Sequence, residues 1–228
     1  MNGTARVEAL VLRGGHDTAR LLCDPALIPS PGRYVLAHEA GSGALLASAL
    51  FLAERASGGF IAAPPIPSAW RPGGELNMRG PLGRGFTLPP AARRVALCCI
   101  GVDAARLLPL VEMTLRQHAA VTLVCDNLPA DLPLQLEVQP MQALSEVCAW
   151  SDYAAFDVER DALGDLLHRL DEFRRALTMA PAEVLARVPM PCGGSADCGV
   201  CSIRTPGGFK LACVDGPVFD LRLLLARS

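Results

Sequence analysis

Short apolar runs separated by glycine and proline fill the first third of the chain. Side chains alternate between apolar and polar in part over residues 5–12 and strictly over residues 75–79. Alternation is typical of strands with one buried face, and closely spaced short strands are typical of small barrels. We therefore predict an antiparallel β-barrel over residues 1–92. Its strands are expected at residues 5–12, 19–23, 33–38, 44–52, 60–62 and 75–79.

The pattern changes at residue 93, where the apolar runs become continuous. Continuous runs of strand length indicate strands that are buried on both faces, as in parallel sheets. They alternate with segments of helical spacing, which predicts a domain of βαβ units over residues 93–188. Asp103 is predicted to cap the first helix. The strands are expected at 95–100, 121–125, 134–138 and 153–157, the helices at 141–150 and 162–177, and a helical turn at 182–188.

Composition sets the broad class of protein. Hydrophobic residues make up 51% of the 228 residues and charged residues 19%, so the chain can bury a large core. The net charge of −2 provides no basic face, which argues against nucleic acid and anionic membranes as partners. The sequence contains no apolar stretch long enough to span a bilayer and no signal peptide, so we expect a cytoplasmic protein. In that compartment the nine cysteines are expected to be thiols and metal ligands.

The C-terminal region, residues 189–228, carries the candidate chemistry. Four cysteines follow the spacing C-x5-C-x2-C-x11-C among several glycines: Cys192, Cys198, Cys201 and Cys213. This spacing is close to that of plant-type ferredoxins, which favours a 2Fe–2S cluster, and the amides near Gly193, Gly194 and Gly199 could donate to its sulfurs. The alternatives are a structural zinc site or free thiols, although zinc ribbons usually pair two C-x2-C knuckles.

The remaining candidate groups suggest no second site. Cys98, Cys99 and Cys125 lie within apolar strands and are expected to be buried small side chains, as are Cys23 and Cys148. The four histidines show no metal-binding spacing, and nothing resembles a nucleophile with an adjacent base or a paired-carboxylate site. A catalytic role would therefore consist of electron transfer.

Three motifs resemble those of a known family. They are P-G-R-Y-V at residues 31–35, R-G-P-L-G-R-G-F at 79–86 and C-V-D-G-P-V-F at 213–219. Together with the element order, they are similar to the iron–sulfur electron-transfer subunit of dihydroorotate dehydrogenase. That resemblance implies a ferredoxin-reductase-like α+β/α/β fold in which a barrel is followed by a parallel βαβ domain and a small cluster subdomain.

The resemblance also implies cofactors and partners. The four cysteines would hold a 2Fe–2S cluster, the barrel would bind FAD, and the parallel-sheet domain would meet NAD. Arg79, Gly80, Gly83 and Gly85 would then belong to a loop that contacts the flavin or the partner, with a simple turn between the two domains as the alternative. The expected partner is a catalytic flavoprotein dehydrogenase subunit, and the expected process is pyrimidine biosynthesis.

The chain departs from the family pattern at both nucleotide sites. The flavin signature R-P-x-S is missing from residues 46–51, although Arg55 and Arg79 could supply charge. The glycine-rich turn after the first parallel strand is reduced to Gly101, and Asp103 would repel a phosphate there. A later C-G-P turn is replaced by residues 156–159. We therefore expect no NAD binding, and FAD binding stays open.

Two hypotheses follow from these departures. In the first, the chain is an oxidoreductase subunit whose 2Fe–2S cluster relays electrons to or from a partner flavoprotein. In the second, it is a non-catalytic metal-binding or assembly protein that has kept the reductase scaffold without flavin or NAD. One extra residue between Cys192 and Cys198, relative to the family, is expected to bulge from the loop and leave cluster binding intact.

Overall fold

The computed structural model describes residues 1–41, 46–101, 103–127, 132–171 and 180–225. Six antiparallel strands close into a barrel in the order β1-β2-β5-β4-β3-β6, as the N-terminal pattern predicts. The alternation in β6 explains its placement, because Leu76 and Met78 are buried while Glu75 and Asn77 are exposed. The strands are β1 Asn2–Arg13, β2 His16–Cys23, β3 Tyr34–Glu39, β4 Ser48–Ala56, β5 Gly59–Ala62 and β6 Glu75–Leu82.

Strands β3 and β4 are buried on both faces. Val35 and Leu50 point into the core of the barrel. Tyr34, Leu36 and Phe51 point the other way, into a larger core that the barrel shares with the second sheet. The outer face of these two strands is therefore the wall against which the rest of the chain packs.

The second sheet has six strands in the order β14-β11-β10-β7-β8-β9. All neighbours are parallel except β14, which runs antiparallel to β11. The order reverses between β7 and β10, which makes the carboxyl ends of these strands a topological switch point. The strands are β7 Arg94–Ile100, β8 Ala120–Val124, β9 Glu137–Gln139, β10 Tyr153–Glu159, β11 Ala182–Arg187 and β14 Val218–Asp220. The helices are α1 Leu108–Arg116, α2 Leu144–Trp150, α3 Arg160–Asp171 and α4 Leu221–Leu225.

Several predicted elements differ in the structure. The predicted helical turn at residues 182–188 is wrong, because this segment is the buried strand β11 and its pairing with β10 and β14 overrides the helix propensity of its alanines and leucine. The predicted cap is also wrong. Asp103 accepts a hydrogen bond from the amide of Ala105 at 2.5 Å in the turn before α1, which begins only at Leu108.

Two boundaries also shift. The predicted strand at 134–138 is reduced to β9, and the predicted helix at 162–177 corresponds to α3, while residues 172–179 lie outside the described residues. In the parts of the chain that the structure describes, no helix combines the length and apolar character that a membrane span requires.

The C-terminal segment is joined to both larger units. A hairpin of β12 Ser202–Thr205 and β13 Gly208–Leu211 precedes β14, which forms an edge of the parallel sheet. A bridge between Arg84 and Pro217 then connects the segment to the end of the barrel. The cysteine-bearing loops are therefore held between barrel and sheet.

Candidate metal centre

The structure brings the four C-terminal cysteines together as two pairs. The Cys201 thiol donates to the sulfur of Cys213 at 3.3 Å, and both residues are buried. Cys192 is half-buried and hydrogen-bonds with the exposed Cys198. Charge on Cys192 also raises the pKa of Cys213, so the two pairs lie within electrostatic reach of each other.

The hairpin of β12 and β13 forms the buried pair. Cys201 immediately precedes β12 and Cys213 follows β13, and the amide of Ala212 donates to the carbonyl of Cys201 at 3.0 Å. Asp215 fixes the turn after Cys213, because its carboxylate accepts from the Leu211 amide at 2.8 Å. Burial, followed by the hydrogen bond with Cys201, raises the pKa of Cys213 to about 12.

A tight loop presents the other pair. Gly193 and Gly194 have φ angles of +67° and +79°, which L-residues rarely adopt. The side chain of Ser195 and then the thiol of Cys198 lower the pKa of Cys192 to about 6, and the amides of Gly194 and Ala196 contribute further hydrogen bonds. Sulfur ligands of iron–sulfur clusters commonly receive such amide donors.

Tyr34 of the barrel reaches the same centre. Its hydroxyl donates to the carbonyl of Cys213 at 3.4 Å, and its side chain is fully buried. A Cβ added at Gly194 would lie 3.1 Å from this hydroxyl. Burial, with smaller contributions from the cysteines, raises the pKa of Tyr34 to about 12. The hydroxyl therefore stays protonated, and remains a hydrogen-bond donor, at neutral pH.

The R-G-P-L-G-R-G-F loop packs the cysteine segment onto the barrel. The Arg84 amide donates to the Gly216 carbonyl at 2.6 Å. A Cβ at Gly83 would lie 2.6 Å from Pro217 Cδ and 2.9 Å from the Tyr34 ring, so this position accepts only glycine without movement. Arg33 also holds the loop, because its side chain donates hydrogen bonds to the carbonyls of Pro81 and Gly83.

The predicted flavin contacts lie within this junction. Gly80 packs on Val35, and a Cβ at Gly85 would lie 2.5 Å from the Pro31 carbonyl. Arg79 is exposed, with its Nη1 4.0 Å from the position of a Cβ on Gly193. These contacts are with the barrel and the cysteine segment, and flavin binding by Arg79, Gly80, Gly83 and Gly85 stays a prediction.

The donor set of this centre fits an iron–sulfur cluster. It provides four thiols as two pairs, backbone amides that already donate to Cys192, and glycine turns that bring the backbone close. Among the described residues, no group of three or more His, Cys, Asp or Glu side chains converges as a ligand set for a metal ion. Two pairs of thiols match the ligand count of a cluster with two irons, in which each iron takes two of the four cysteines.

A second polar cluster, which the sequence did not reveal, lies at the switch point. Asp157 on β10 is fully buried, and its carboxylate oxygens lie 3.4 Å from Arg106 Nη1 and 2.8 Å from Arg187 Nε. Arg187 also pairs with Glu159 at 2.9 Å. Burial raises the pKa of Asp157, although both guanidinium groups act in the opposite direction. The sequence held one signal for this cluster, because Asp157 is a carboxylate within an apolar strand and a buried carboxylate needs a partner of opposite charge.

A cavity of about 940 Å³ lies between β4 and α1. Its apolar lining includes Leu52, Leu108 and Val111, and its polar lining includes Arg55 and Asp103. The four cysteines and the loop at residues 79–86 are not among the described residues that line it. The cavity and the metal centre are therefore separate sites.

Solved structures define the class to which the fold belongs. An NADH-dependent reduced ferredoxin-NADP oxidoreductase superposes with a TM-score of 0.72 at 17% identity, covering 96% of this chain and 88% of that one. The FAD/NAD binding domain of a nitric oxide dioxygenase from Vibrio cholerae O1 biovar El Tor gives 0.58 at 14% identity, with coverages of 81% and 98%. The predicted ferredoxin-reductase-like fold is thereby confirmed.

Sequence similarity is more specific at the C-terminus. Residues 189–225 match the family described as the iron-sulfur cluster binding domain of dihydroorotate dehydrogenase B. The chain is also 29% identical over 188 residues to the dihydroorotate dehydrogenase B (NAD(+)) electron transfer subunit of Desulforamulus reducens, covering 68% of this chain and 67% of that protein. These similarities confirm the resemblance that the three motifs indicated.

Proposed function

We propose that this chain is the electron-transfer subunit of a cytoplasmic oxidoreductase, and that its four C-terminal cysteines hold a 2Fe–2S cluster. Its partner would be a flavoprotein dehydrogenase. The single observation that carries the proposal is the arrangement of the four cysteines in two pairs, Cys201 with Cys213 and Cys192 with Cys198, within electrostatic reach of each other. The similarity to an electron-transfer subunit supports the same role.

The pairing favours two irons over one zinc ion. A 2Fe–2S cluster divides four cysteines between its two irons, whereas a structural zinc ion gathers four ligands into one tetrahedron. Cys201 and Cys213 come from the two ends of one hairpin, and Cys192 and Cys198 come from one loop. When bound, the cluster would supply one-electron oxidation and reduction. The chain would orient the thiols and provide amide donors to them.

The two pairs differ in solvent access in a way that suits electron exchange with another protein. Cys201 and Cys213 are buried against the barrel, whereas Cys198 is exposed. Val200 and Val214, each next to a cysteine of the buried pair, are 41% and 53% exposed. This small apolar surface beside the centre offers a short path to a docked partner, which we propose to be the flavoprotein subunit.

Anaerobic purification followed by iron and sulfide analysis and electron paramagnetic resonance tests the proposal. We expect about two irons and two sulfides per chain and a signal that appears on reduction. Cys201→Ser should abolish the signal, whereas Cys23→Ser, at a half-buried barrel position, should leave it unchanged. A colourless protein with one zinc ion per chain would contradict the cluster and favour the metal-binding or assembly role.

A further inference from the structure

Four buried side chains and one that is mostly buried form a continuous series across the cleft between barrel and sheet, and we call this series the cleft stack. Its members lie on β3, on β4, before α1, on β10 and on β11, and their exposed fractions range from 0% to 12%. They are Tyr34, Phe51, Arg106, Asp157 and Arg187. The stack runs from the cysteine centre to the switch point, through the region where the resemblance places FAD and NAD.

The barrel half of the stack covers the strand where the flavin signature was expected. Phe51 closes residues 46–51, the stretch that corresponds to R-P-x-S, and is only 7% exposed. Its ring centroid lies 6.0 Å from that of Tyr34 on one side. The Arg106 guanidinium lies 5.8 Å from the same ring, at a distance typical of a cation–π contact. An aromatic ring and a cation therefore cover the end of the stretch where the flavin signature was expected.

The sheet half of the stack covers the turn where a dinucleotide would approach. At a switch point, the glycine turn after the first strand lets the backbone come close to the pyrophosphate. A Cβ added at Gly101 would lie 2.9 Å from Arg187 Nη2, so the Arg187 guanidinium already lies against this turn. Arg187 is held there by Asp157 and Glu159 at 2.8 and 2.9 Å.

Neither the barrel half nor the sheet half of the stack can move aside without leaving a buried charge short of a partner. Arg106 contacts both Phe51 and Asp157, so moving it away to admit a flavin ring would remove one of the two cations beside a fully buried carboxylate. Moving Arg187 to admit a pyrophosphate would remove the other. Breaking a buried ion pair on one side is strongly unfavourable, because the remaining charge has no water to replace its partner.

We infer that the cleft stack replaces both cofactors, so that this chain binds neither a flavin nor a nicotinamide dinucleotide. The inference rests on the proposed function in one respect, namely the identity of the electron donor. A hydride donor needs a two-electron acceptor such as a flavin. Without one, the donor must be a one-electron carrier protein of the ferredoxin class. For each electron that the chain accepts, one such carrier is oxidised by one electron, and no proton or hydride is transferred.

Equilibrium dialysis of the full-length, cluster-loaded chain tests the binding part directly. FAD, FMN, NADH and NADPH are each supplied at about 100 μM free ligand, where a site with a Kd of about 10 μM would be about nine-tenths filled. We expect occupancy below about one tenth for every ligand, which corresponds to a Kd above about 1 mM. A higher occupancy for any of the four would overturn the inference.

Anaerobic reduction tests the donor part. The protein is mixed with NADH, with NADPH or with a reduced low-potential ferredoxin, and visible absorption and paramagnetic resonance report its oxidation state. We expect one electron per chain from the ferredoxin and none from either nucleotide. Reduction by a nucleotide alone, or failure of the ferredoxin to reduce a chain that dithionite reduces, would overturn the donor assignment.

These results are separable from the proposed function. Iron and sulfide are measured in every sample, so a chain that lacks them would refute the cluster while the dialysis result still decides whether flavin and dinucleotide bind. A chain that contains the cluster and also binds flavin would refute the cleft stack as a replacement while leaving the proposed function intact.

Discussion

The cysteine centre and the switch-point crevice lie at the two ends of the same cleft, yet they are built in opposite ways. Around the cysteines, Gly193 and Gly194 leave the backbone open, and the thiol of Cys198 is exposed. At the switch point, Arg106 and Asp157 are almost completely buried and form an ion pair at 3.4 Å. The cysteine centre therefore has thiols without a partner of opposite charge, whereas the charged groups at the switch point are already paired with each other.

This difference indicates which end of the cleft can bind a ligand. A binding site keeps ligand-directed groups accessible, whereas charges that are buried and paired are already committed to partners within the chain. By that criterion the cysteine centre has groups available for a ligand, whereas the charges at the switch point are committed to each other. Substitutions at the two ends should therefore affect different properties.

The largest effect on stability is expected from Asp157→Asn. This change leaves two buried guanidinium groups without their shared carboxylate, which should lower the free energy of unfolding by about 3–5 kcal/mol. Glu159→Gln is the matched control on the same strand, because Glu159 also pairs with Arg187 but is 66% exposed. The control should cost less than about 1 kcal/mol. Urea denaturation followed by circular dichroism measures both values, and equal costs would contradict a structural role for the buried carboxylate.

A smaller effect is expected where the cysteine segment packs on the barrel. Gly83→Ala would place a methyl group 2.6 Å from Pro217 Cδ at a φ of +69°, so overpacking and backbone strain should together cost about 2–4 kcal/mol. Gly73→Ala has a similar φ of +87° with nothing within 4 Å, and strain alone should cost about 1–2 kcal/mol. Only Gly83→Ala should also lower the iron content. Iron loss in both variants would show that the junction has no special role.

The sequence predicted the elements whose side-chain pattern reflects burial. Leu76 and Met78 alternate with polar residues in β6, and the continuous apolar run of β7 is buried on both faces. The four candidate cysteines were also visible, because their spacing lies within one short segment. In these cases the residues that determine the feature are close together in the sequence, so one short stretch is sufficient to predict it.

The cleft stack could not be predicted because its information is not local. Arg106 and Asp157 are 51 residues apart, and only the switch-point topology brings them together. The strand β11 was missed for a related reason, since Ala182–Arg187 favours a helix until it pairs with neighbours on both sides. The role of Gly83 likewise depends on Pro217, which arrives from the far end of the chain.

The smallest effect on stability, and the most specific one for the centre, is expected from Tyr34→Phe. The hydroxyl donates to the Cys213 carbonyl over a long 3.4 Å, so its loss should cost no more than about 1 kcal/mol. The four thiols remain, and the iron content should be unchanged. The reduction potential and the paramagnetic spectrum should nevertheless shift, because the backbone that carries Cys213 loses its only hydrogen bond from a barrel side chain among the described contacts.

Tyr153→Phe is the control, since it also removes a buried hydroxyl, which donates to Glu183 at 2.6 Å and lies on the opposite sheet. That variant should lose more stability and leave the spectrum unchanged, and a spectral shift of the same size in both variants would contradict a positioning role for Tyr34.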